Sequence, residues 1–248
     1  MAGTAVLGRL TWQVADVVET IDETPRVRTL VLDAPAWMGH RAGQHLDVRL
    51  TAEDGYRAER SYSIASPPGD PVAITVERLD DGEVSPYLVD ELRDGDQVEI
   101  RGPIGGYFVW DPAHNGPLLL VGGGSGVVPL RSILRLRASE ADGVPTKLLY
   151  SSRTIEDVIY REELEQLAGM GLDIVHTLTR AQPEGWSGYA RRVDERLLEE
   201  VAFPAAQNPL AFVCGPTSFV ETVAEGLVTL GYRPERVKTE RFGPTGGR

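Results

Sequence analysis

An antiparallel β-barrel followed by an α/β part with a parallel sheet is the fold class this sequence predicts, and three observations carry it. Short strand-like runs separated by turn signals fill residues 9–103. A stretch rich in breakers follows, Asp111-Pro112-Ala113-His114-Asn115-Gly116-Pro117. Strand-like and helix-like segments then alternate. Many short strands at close spacing favour a closed or nearly closed barrel, whereas alternation favours a parallel sheet wrapped by helices. A chain of 248 residues has room for one large domain or two ordinary ones. The breaker-rich stretch favours two, 1–112 and 113–248.

In the first part the run 43–50 alternates clearly at Leu46-Asp47-Val48-Arg49-Leu50, apolar on one face and polar on the other. Further strands are expected over 56–64 and 72–76. Asp54-Gly55, Pro67-Pro68-Gly69-Asp70 and Asp94-Gly95-Asp96 supply the turns. One short helix is expected over 86–92, opened by Pro86 where a missing N–H costs nothing. In the second part, 118–121 is a buried-strand run and 127–139 a helix. A strand over 147–151, an amphipathic helix over 156–168, strands over 172–178 and 210–213, and a helix over 219–230 complete the alternation. There is no internal repeat and no low-complexity tract.

Composition excludes several function classes. A net charge of -12 argues against nucleic acid and anionic membranes as partners, though not against a local basic patch. The single Cys214 rules out an internal disulfide and a cysteine-ligated iron–sulfur cluster in this chain, which needs about four thiolates. His40, His45, His114 and His176 lack metal-ligand spacing and read as surface or packing histidines, so no metal site is expected. No apolar run approaches a membrane span, and residues 1–10 lack the charged start and apolar core of a signal peptide. A cytoplasmic protein is expected.

Arg60-Ser61-Tyr62-Ser63 sets a permanent cation, a flat ring and small hydroxyls within four residues. Arg60 offers a fork of donors for a phosphate oxygen, Tyr62 a face for a planar ligand, and Ser63 a hydroxyl for a ring nitrogen. A long ligand with phosphate at one end and a flat heterocycle at the other, such as a flavin, fits that set. An ordinary half-buried strand with a surface arginine fits it too. Downstream, Leu118-Leu119-Leu120-Val121-Gly122-Gly123-Gly124-Ser125-Gly126-Val127 runs from strand through glycine turn to helix. Glycines let backbone approach a diphosphate, and a helix start offers unpaired amides. The run is neither a full GxGxxG nor a P-loop, and Val127 stands where a nucleophile elbow requires glycine.

Taken in order, Arg60-Ser61-Tyr62-Ser63, Gly82-Glu83-Val84-Ser85-Pro86-Tyr87-Leu88, Gly102-Pro103-Ile104-Gly105-Gly106-Tyr107-Phe108, the glycine turn, Cys214-Gly215-Pro216 and Glu240-Arg241-Phe242 form an ordered set. It resembles the ferredoxin–NADP reductase superfamily, in particular the stand-alone bacterial oxidoreductase units related to oxygenase reductases, over nearly the whole chain. The resemblance implies a flavin-binding barrel followed by a nicotinamide-nucleotide domain. It assigns Arg60, Ser61, Tyr62, Ser63, the Val76–Arg78 backbone, Gly82, Val84, Ser85 and Phe242 to the flavin. It assigns Gly123, Gly124, Ser125, Gly126, Cys214, Gly215 and Pro216 to the nicotinamide nucleotide. Ser63, Cys214 and Glu240 are its catalytic candidates: Ser63 near the flavin nitrogen that accepts hydride, Cys214 beside the reactive nicotinamide carbon, Glu240 in the closing acidic-x-aromatic motif. Packing or solvation accounts equally for Arg78, Cys214, Glu240 and Phe242 taken singly.

The choice of nucleotide turns on its 2'-phosphate. Arg153, Arg180 and Arg191 or Arg192, with the hydroxyls of Ser152 and Thr179, follow predicted strands where the adenosine ribose is expected, which favours NADPH over NADH. FAD is preferred over FMN, with Tyr107 or Phe108 as support for an adenine, although FMN-binding relatives share the arginine-tyrosine-serine motif. The closing motif is followed closely by residue 248 with no cysteines to spare, so electrons are expected to pass to a separate partner, a ferredoxin-type iron–sulfur protein. Arg131, Arg135 and Arg137 on one helix, with Arg233, Arg236, Lys238 and Arg241, are candidates for its docking patch. Two other readings stay open: a reductase of free flavin or a small oxidant, and a non-catalytic scaffold of the same fold.

Overall fold

Two sheets organise the chain in the computed structural model, which describes residues 10–141, 143–169 and 172–243. The expectations placed on residues 1–9 and on 244–248 lie outside the described residues. The first sheet has six antiparallel strands: β1 (Gln13–Thr24), β2 (Val27–Asp33), β3 (His45–Thr51), β4 (Arg57–Ser63), β5 (Val72–Glu77) and β6 (Gln97–Ile104), in the order β4-β3-β6-β1-β2-β5. Its two outer strands meet beyond β4, where Ile64 bridges Ile74 and the Ala65 amide donates to the Ala73 carbonyl at 2.7 Å. That closure makes the sheet a barrel. Alternation sends Leu30, Leu46, Val48, Ile74, Val76 and Ile100 inside. The short helix expected over 86–92 is a single π-turn, Tyr87–Glu91, whose Leu88 plugs the same core.

The second sheet has five parallel strands in the order β11-β10-β7-β8-β9: β7 (Leu118–Gly123), β8 (Thr146–Ser152), β9 (Asp173–Leu178), β10 (Leu210–Pro216) and β11 (Val237–Phe242). Helices α1 (Val127–Glu140), α2 (Arg161–Gly169), α3 (Glu195–Val201) and α4 (Thr217–Thr229) accompany them. Every residue of β7 is buried, as a central strand covered on both faces must be. Because the strands are parallel, all five carboxyl ends lie on one edge, where open α/β sheets collect their ligands. The helix expected over 156–168 begins later, at Arg161. A 3-10 turn, Ile155–Asp157, precedes it, closed by a Thr154–Asp157 capping box. Among the described residues no helix is long and apolar enough to cross a membrane.

The two sheets share one seam. Ala42, Ala65, Ala73, Phe108 and Trp110 pack with Val127, Val128, Tyr160 and Phe212 in a single buried cluster. Phe108 and Phe212 meet edge to face with centroids 5.0 Å apart. Phe108 is therefore core and not a support for an adenine, which corrects the expectation above. The chain doubles back so closely here that a Cβ on Gly43, at φ +96°, would stand 2.0 Å from the Phe108 carbonyl oxygen.

A hydroxyl relay also crosses the seam. Tyr160 donates to Thr75 Oγ1, Thr75 and Thr29 pair at 2.7 Å, and Thr29 donates to Glu23 Oε1 at 2.6 Å. Each hydroxyl has one proton, so Thr75 must be the donor to Thr29. Burial pushes the Glu23 carboxyl up, and the bond from Thr29 pulls it back. Arg131 lies 4.4 Å over the Tyr160 ring and pairs with Glu163 at 2.7 Å. Tyr160 sits at φ 60°, a left-handed conformation unfavourable for a bulky residue that persists because its surroundings hold it at both ends.

Tyr160→Phe strands the Thr75 hydroxyl without its donor and should lower stability by about 1 kcal/mol, read as an earlier unfolding midpoint in denaturant at unchanged slope. An unchanged midpoint would show that the relay contributes nothing.

Candidate functional site

Arg60, Ser61, Tyr62 and Ser63 lie on β4, and the structure uses them differently. Arg60 is half exposed; its Nη2 donates to Glu83 Oε2 at 2.9 Å and its Nη1 to the Glu59 carbonyl at 2.7 Å. Ser61 Oγ donates to Asp47 Oδ1 at 2.6 Å, within a ladder in which Arg101 also grips Asp47. Tyr62 packs its ring on the barrel core, and burial pushes its phenol well above the ordinary range. Ser63 stands directly opposite His45 on β3.

The segment after β5 is folded tightly. Val76 and Val84 are buried in the barrel core. Arg78 is held by Asp90 and Asp80. Ser85 is buried and its Oγ accepts from the Leu79 amide at 3.0 Å, while the Gly82 amide donates to the Leu79 carbonyl.

In the second lobe the glycine turn Gly124–Gly126 sits between β7 and α1. Packing explains three of the glycines around it. A Cβ on Gly126 would meet the Cys214 carbonyl oxygen at 2.1 Å, and Cβ atoms on Gly123 and Gly215 would meet the Phe219 ring at 3.0 and 2.7 Å. Gly124 is different: its φ is +55° and nothing lies within 4 Å of its Cβ direction. Backbone that faces open space at a helix start suits a diphosphate, and Ser125 beside it is half-buried.

Farther along the same edge, Ser152 is buried and its Oγ has no partner among the described residues. Thr179 Oγ1 donates to the Ser152 carbonyl at 3.2 Å. The Arg180 amide donates to the Arg153 carbonyl at 2.9 Å, so the two arginines are backbone neighbours; both are exposed, and among the described residues neither has an ion-pair partner. Arg191 is committed to Glu200 at 3.1 Å and Asp194 at 3.8 Å.

Residues from both lobes converge where β11 faces the barrel. Cys214 and Glu240 are direct neighbours across β10 and β11, and Pro216 pairs with Phe242, which is half-buried against the seam. Glu240 Oε1 lies 3.6 Å from His45 Nδ1, while its Oε2 is buried with no partner among the described residues. Burial drives the Glu240 carboxyl up to about 7 and the His45 imidazole down, so each favours its neutral form. At 3.6 Å the pair is too long for a hydrogen bond. Burial, with Glu240 beside it, pushes the Cys214 thiol well up, which favours its protonated form. Ser63 and His45, neighbours across β4 and β3, thus meet Glu240 and Cys214, neighbours across β11 and β10, at the His45–Glu240 approach. His45, read from sequence as a packing residue, is the missing link; nothing short-range in the sequence announces it.

A flavin fits what is here. The barrel supplies an aromatic ring, Tyr62, and a cation, Arg60, near the tight Gly82–Ser85 segment, and β11 of the other lobe supplies a buried carboxyl oxygen, that of Glu240, with no partner among the described residues. The basic docking patch changes, however. Arg131 and Arg135 are spent on Glu163, with Asp70 also near Arg135, and Arg137 is buried. Arg233 pairs with Glu235, and Arg236 holds the Pro209 and Asn115 carbonyls. Lys238, 4.5 Å over the Tyr107 ring, and the exposed Arg241 remain on β11.

Known proteins share this two-domain fold. The family model for the oxidoreductase FAD-binding domain matches residues 15–109, and that for the oxidoreductase NAD-binding domain matches residues 120–225. The chain is 37% identical to "Ferredoxin--NADP reductase B" of Sorangium cellulosum, covering 81% of this chain and 84% of that one. It is 34% identical to the "Glycine betaine monooxygenase reductase subunit" of Pseudomonas aeruginosa over 92% of its own length, and spans 63% of that relative's length. Among solved structures, the flavohem-like FAD/NAD binding domain of nitric oxide dioxygenase from Vibrio cholerae superposes with a TM-score of 0.85 at 26% identity, covering 94% of this chain and 99% of that one.

With its carboxyl at about 7 against 4.5 for an ordinary glutamate, Glu240 binds a proton more tightly in the folded protein than in the unfolded chain. Its contribution to stability is complete below the lower value and is lost as pH rises through the upper one. Glu240→Gln should therefore gain stability relative to the parent as pH is raised from about 5 to 8 in denaturant titrations of the flavin-free protein. A difference that is the same at every pH would contradict the assigned burial.

Proposed function

Because the chain belongs to the ferredoxin–NADP reductase superfamily, we propose that it takes hydride from NADPH onto FAD and passes electrons to a separate acceptor, a ferredoxin-type iron–sulfur protein of a cytoplasmic oxygenase system. In this reading 1–112 is the flavin domain and 113–248 the nucleotide domain. The observation that carries it is the approach of Ser63 and His45 to Glu240 and Cys214, which brings candidates from both lobes to one cleft.

When bound, the flavin supplies the hydride-accepting and electron-releasing chemistry. This chain's residues do the rest. Arg60, with Gly82, Val84 and Ser85, holds the phosphates, and the Ser85 hydroxyl retains a proton that no partner claims among the described residues. Tyr62 offers its ring to the flavin, with Ser61, the Val76–Arg78 backbone and Phe242 bordering it. Ser63 Oγ and the protonated Glu240 carboxyl hold protons at the cleft, and the thiol of Cys214 shapes the wall for the nicotinamide. Gly123, Gly124, Ser125 and Gly126 take the nucleotide's diphosphate, with Gly215 and Pro216 closing the turn opposite. The seam between the lobes excludes water and sets their separation, the condition under which aligned reactants gain most.

The preference for NADPH is supported by Arg153 and Arg180, two exposed arginines joined through their backbones and without acidic partners among the described residues, next to Ser152 and Thr179. Arg191 would have to leave Glu200 to join them. The separate acceptor is supported by the Pseudomonas aeruginosa relative, which is a monooxygenase reductase subunit.

Anaerobic mixing should bleach the flavin absorbance with NADPH at far lower concentration than with NADH. Substituting Arg153 and Arg180 together by Gln should raise KM for NADPH by roughly tenfold or more and leave KM for NADH unchanged, because each charge-assisted bond to phosphate contributes about 1.5–3 kcal/mol. Equal use of both nucleotides, or equal loss with both, would defeat the NADPH assignment. Saturable reduction of an added ferredoxin, as against turnover of free flavin, decides the acceptor.

A further inference from the structure

Glu83 carries a charge that the proposed chemistry does not use, in a position that interferes with it. One of its carboxylate oxygens accepts from Arg60 Nη2 at 2.9 Å and the other from the Tyr56 hydroxyl at 2.9 Å. Tyr56 stands at the foot of β4, so the carboxylate ties the hairpin before that strand to the segment after β5. The segment itself has little freedom. The Leu79 amide donates to Ser85 Oγ at 3.0 Å, the Gly82 amide donates to the Leu79 carbonyl at 3.0 Å, and a Cβ on Gly82 would meet Ser85 Oγ at 2.9 Å. Glu83 is therefore presented to Arg60 from a rigid turn, not from a loose loop. Arg60 Nη1 is occupied as well, by the Glu59 carbonyl. A phosphate arriving at this guanidinium must either displace the carboxylate or share one cation with it.

We propose that Glu83 is a built-in competitor for the flavin's phosphate: it occupies the Arg60 guanidinium, weakens flavin binding and keeps the flavin exchangeable. The inference rests on the reading of Arg60 as the phosphate ligand. Its physical basis is ordinary. Both side chains are 51% exposed, so the ion pair itself is weak, and a second anion at the same guanidinium meets partly screened repulsion from the first. Removing the carboxylate's charge frees the arginine and abolishes that repulsion, whereas a flavin without phosphate gains nothing.

The test is equilibrium binding to the flavin-free protein, read by quenching of flavin fluorescence, with FAD, FMN and riboflavin as probes. Glu83→Gln should tighten FAD and FMN by roughly five- to tenfold and leave riboflavin unchanged, as expected for a partly screened charge interaction. Arg60→Gln should weaken FAD, and adding Glu83→Gln to it should bring no gain, since the competitor then has nothing to compete for. Unchanged or weaker FAD binding in Glu83→Gln, or an equal gain with riboflavin, overturns the role of Glu83 while Arg60 still binds phosphate. If Arg60→Gln binds FAD as the parent does, the phosphate assignment of Arg60 falls, and the competition falls with it.

Discussion

Phe108 set edge-on against Phe212, and the hydroxyl relay from Tyr160 to Glu23, lock two independent sheets in one relation. The candidate site depends on that relation because neither lobe holds all of it. Ser63 and His45 come from the barrel, Cys214 and Glu240 from the parallel sheet. Interiors pack densely and transmit strain, so the separation of the two halves is set by the side chains of this seam. The left-handed backbone of Tyr160 belongs to the same bargain, a local strain offset by contacts at both ends.

Burial then does the electrostatic work at the cleft. Glu240, His45 and Cys214 all favour their neutral forms, each because surrounding apolar mass disfavours charge. Such a cleft presents weak donors and soft walls instead of fixed ions, and suits chemistry in which a ligand carries the reactive electrons. Charge is concentrated elsewhere, in the pairs that brace Arg60 and Arg78 and in Arg153 and Arg180 beyond β8 and β9, which have no ion-pair partner among the described residues.

Much of the fold was legible in the sequence because its signals are short-range. The unbroken apolar run of β7, the glycine turn after it and the alternation in β3 each report local geometry. What escaped depends on distant partners. His45 gains meaning only from Glu240 across the lobes, and Phe108 only from Phe212. Strand β11, with Lys238, Glu240 and Arg241 interleaved, reads as a charged tail until β10 is beside it. Helix α3 is too short for periodicity, and only its Asp194 cap, accepting from the Leu197 amide, marks its start. Gly126 has no room for a Cβ against the Cys214 backbone, and Gly123 and Gly215 are crowded by the Phe219 ring, so that motif reports packing as much as ligand.

Strand β11 lies at the margin of its sheet and pairs with β10 alone, yet it contributes the carboxyl that faces His45. Its pairing is parallel and its barrel contact is very distant in sequence, a class of contact that forms late when a chain folds. Each lobe can therefore close around its own core before the pocket they share exists, and docking of β11 is the step that completes it.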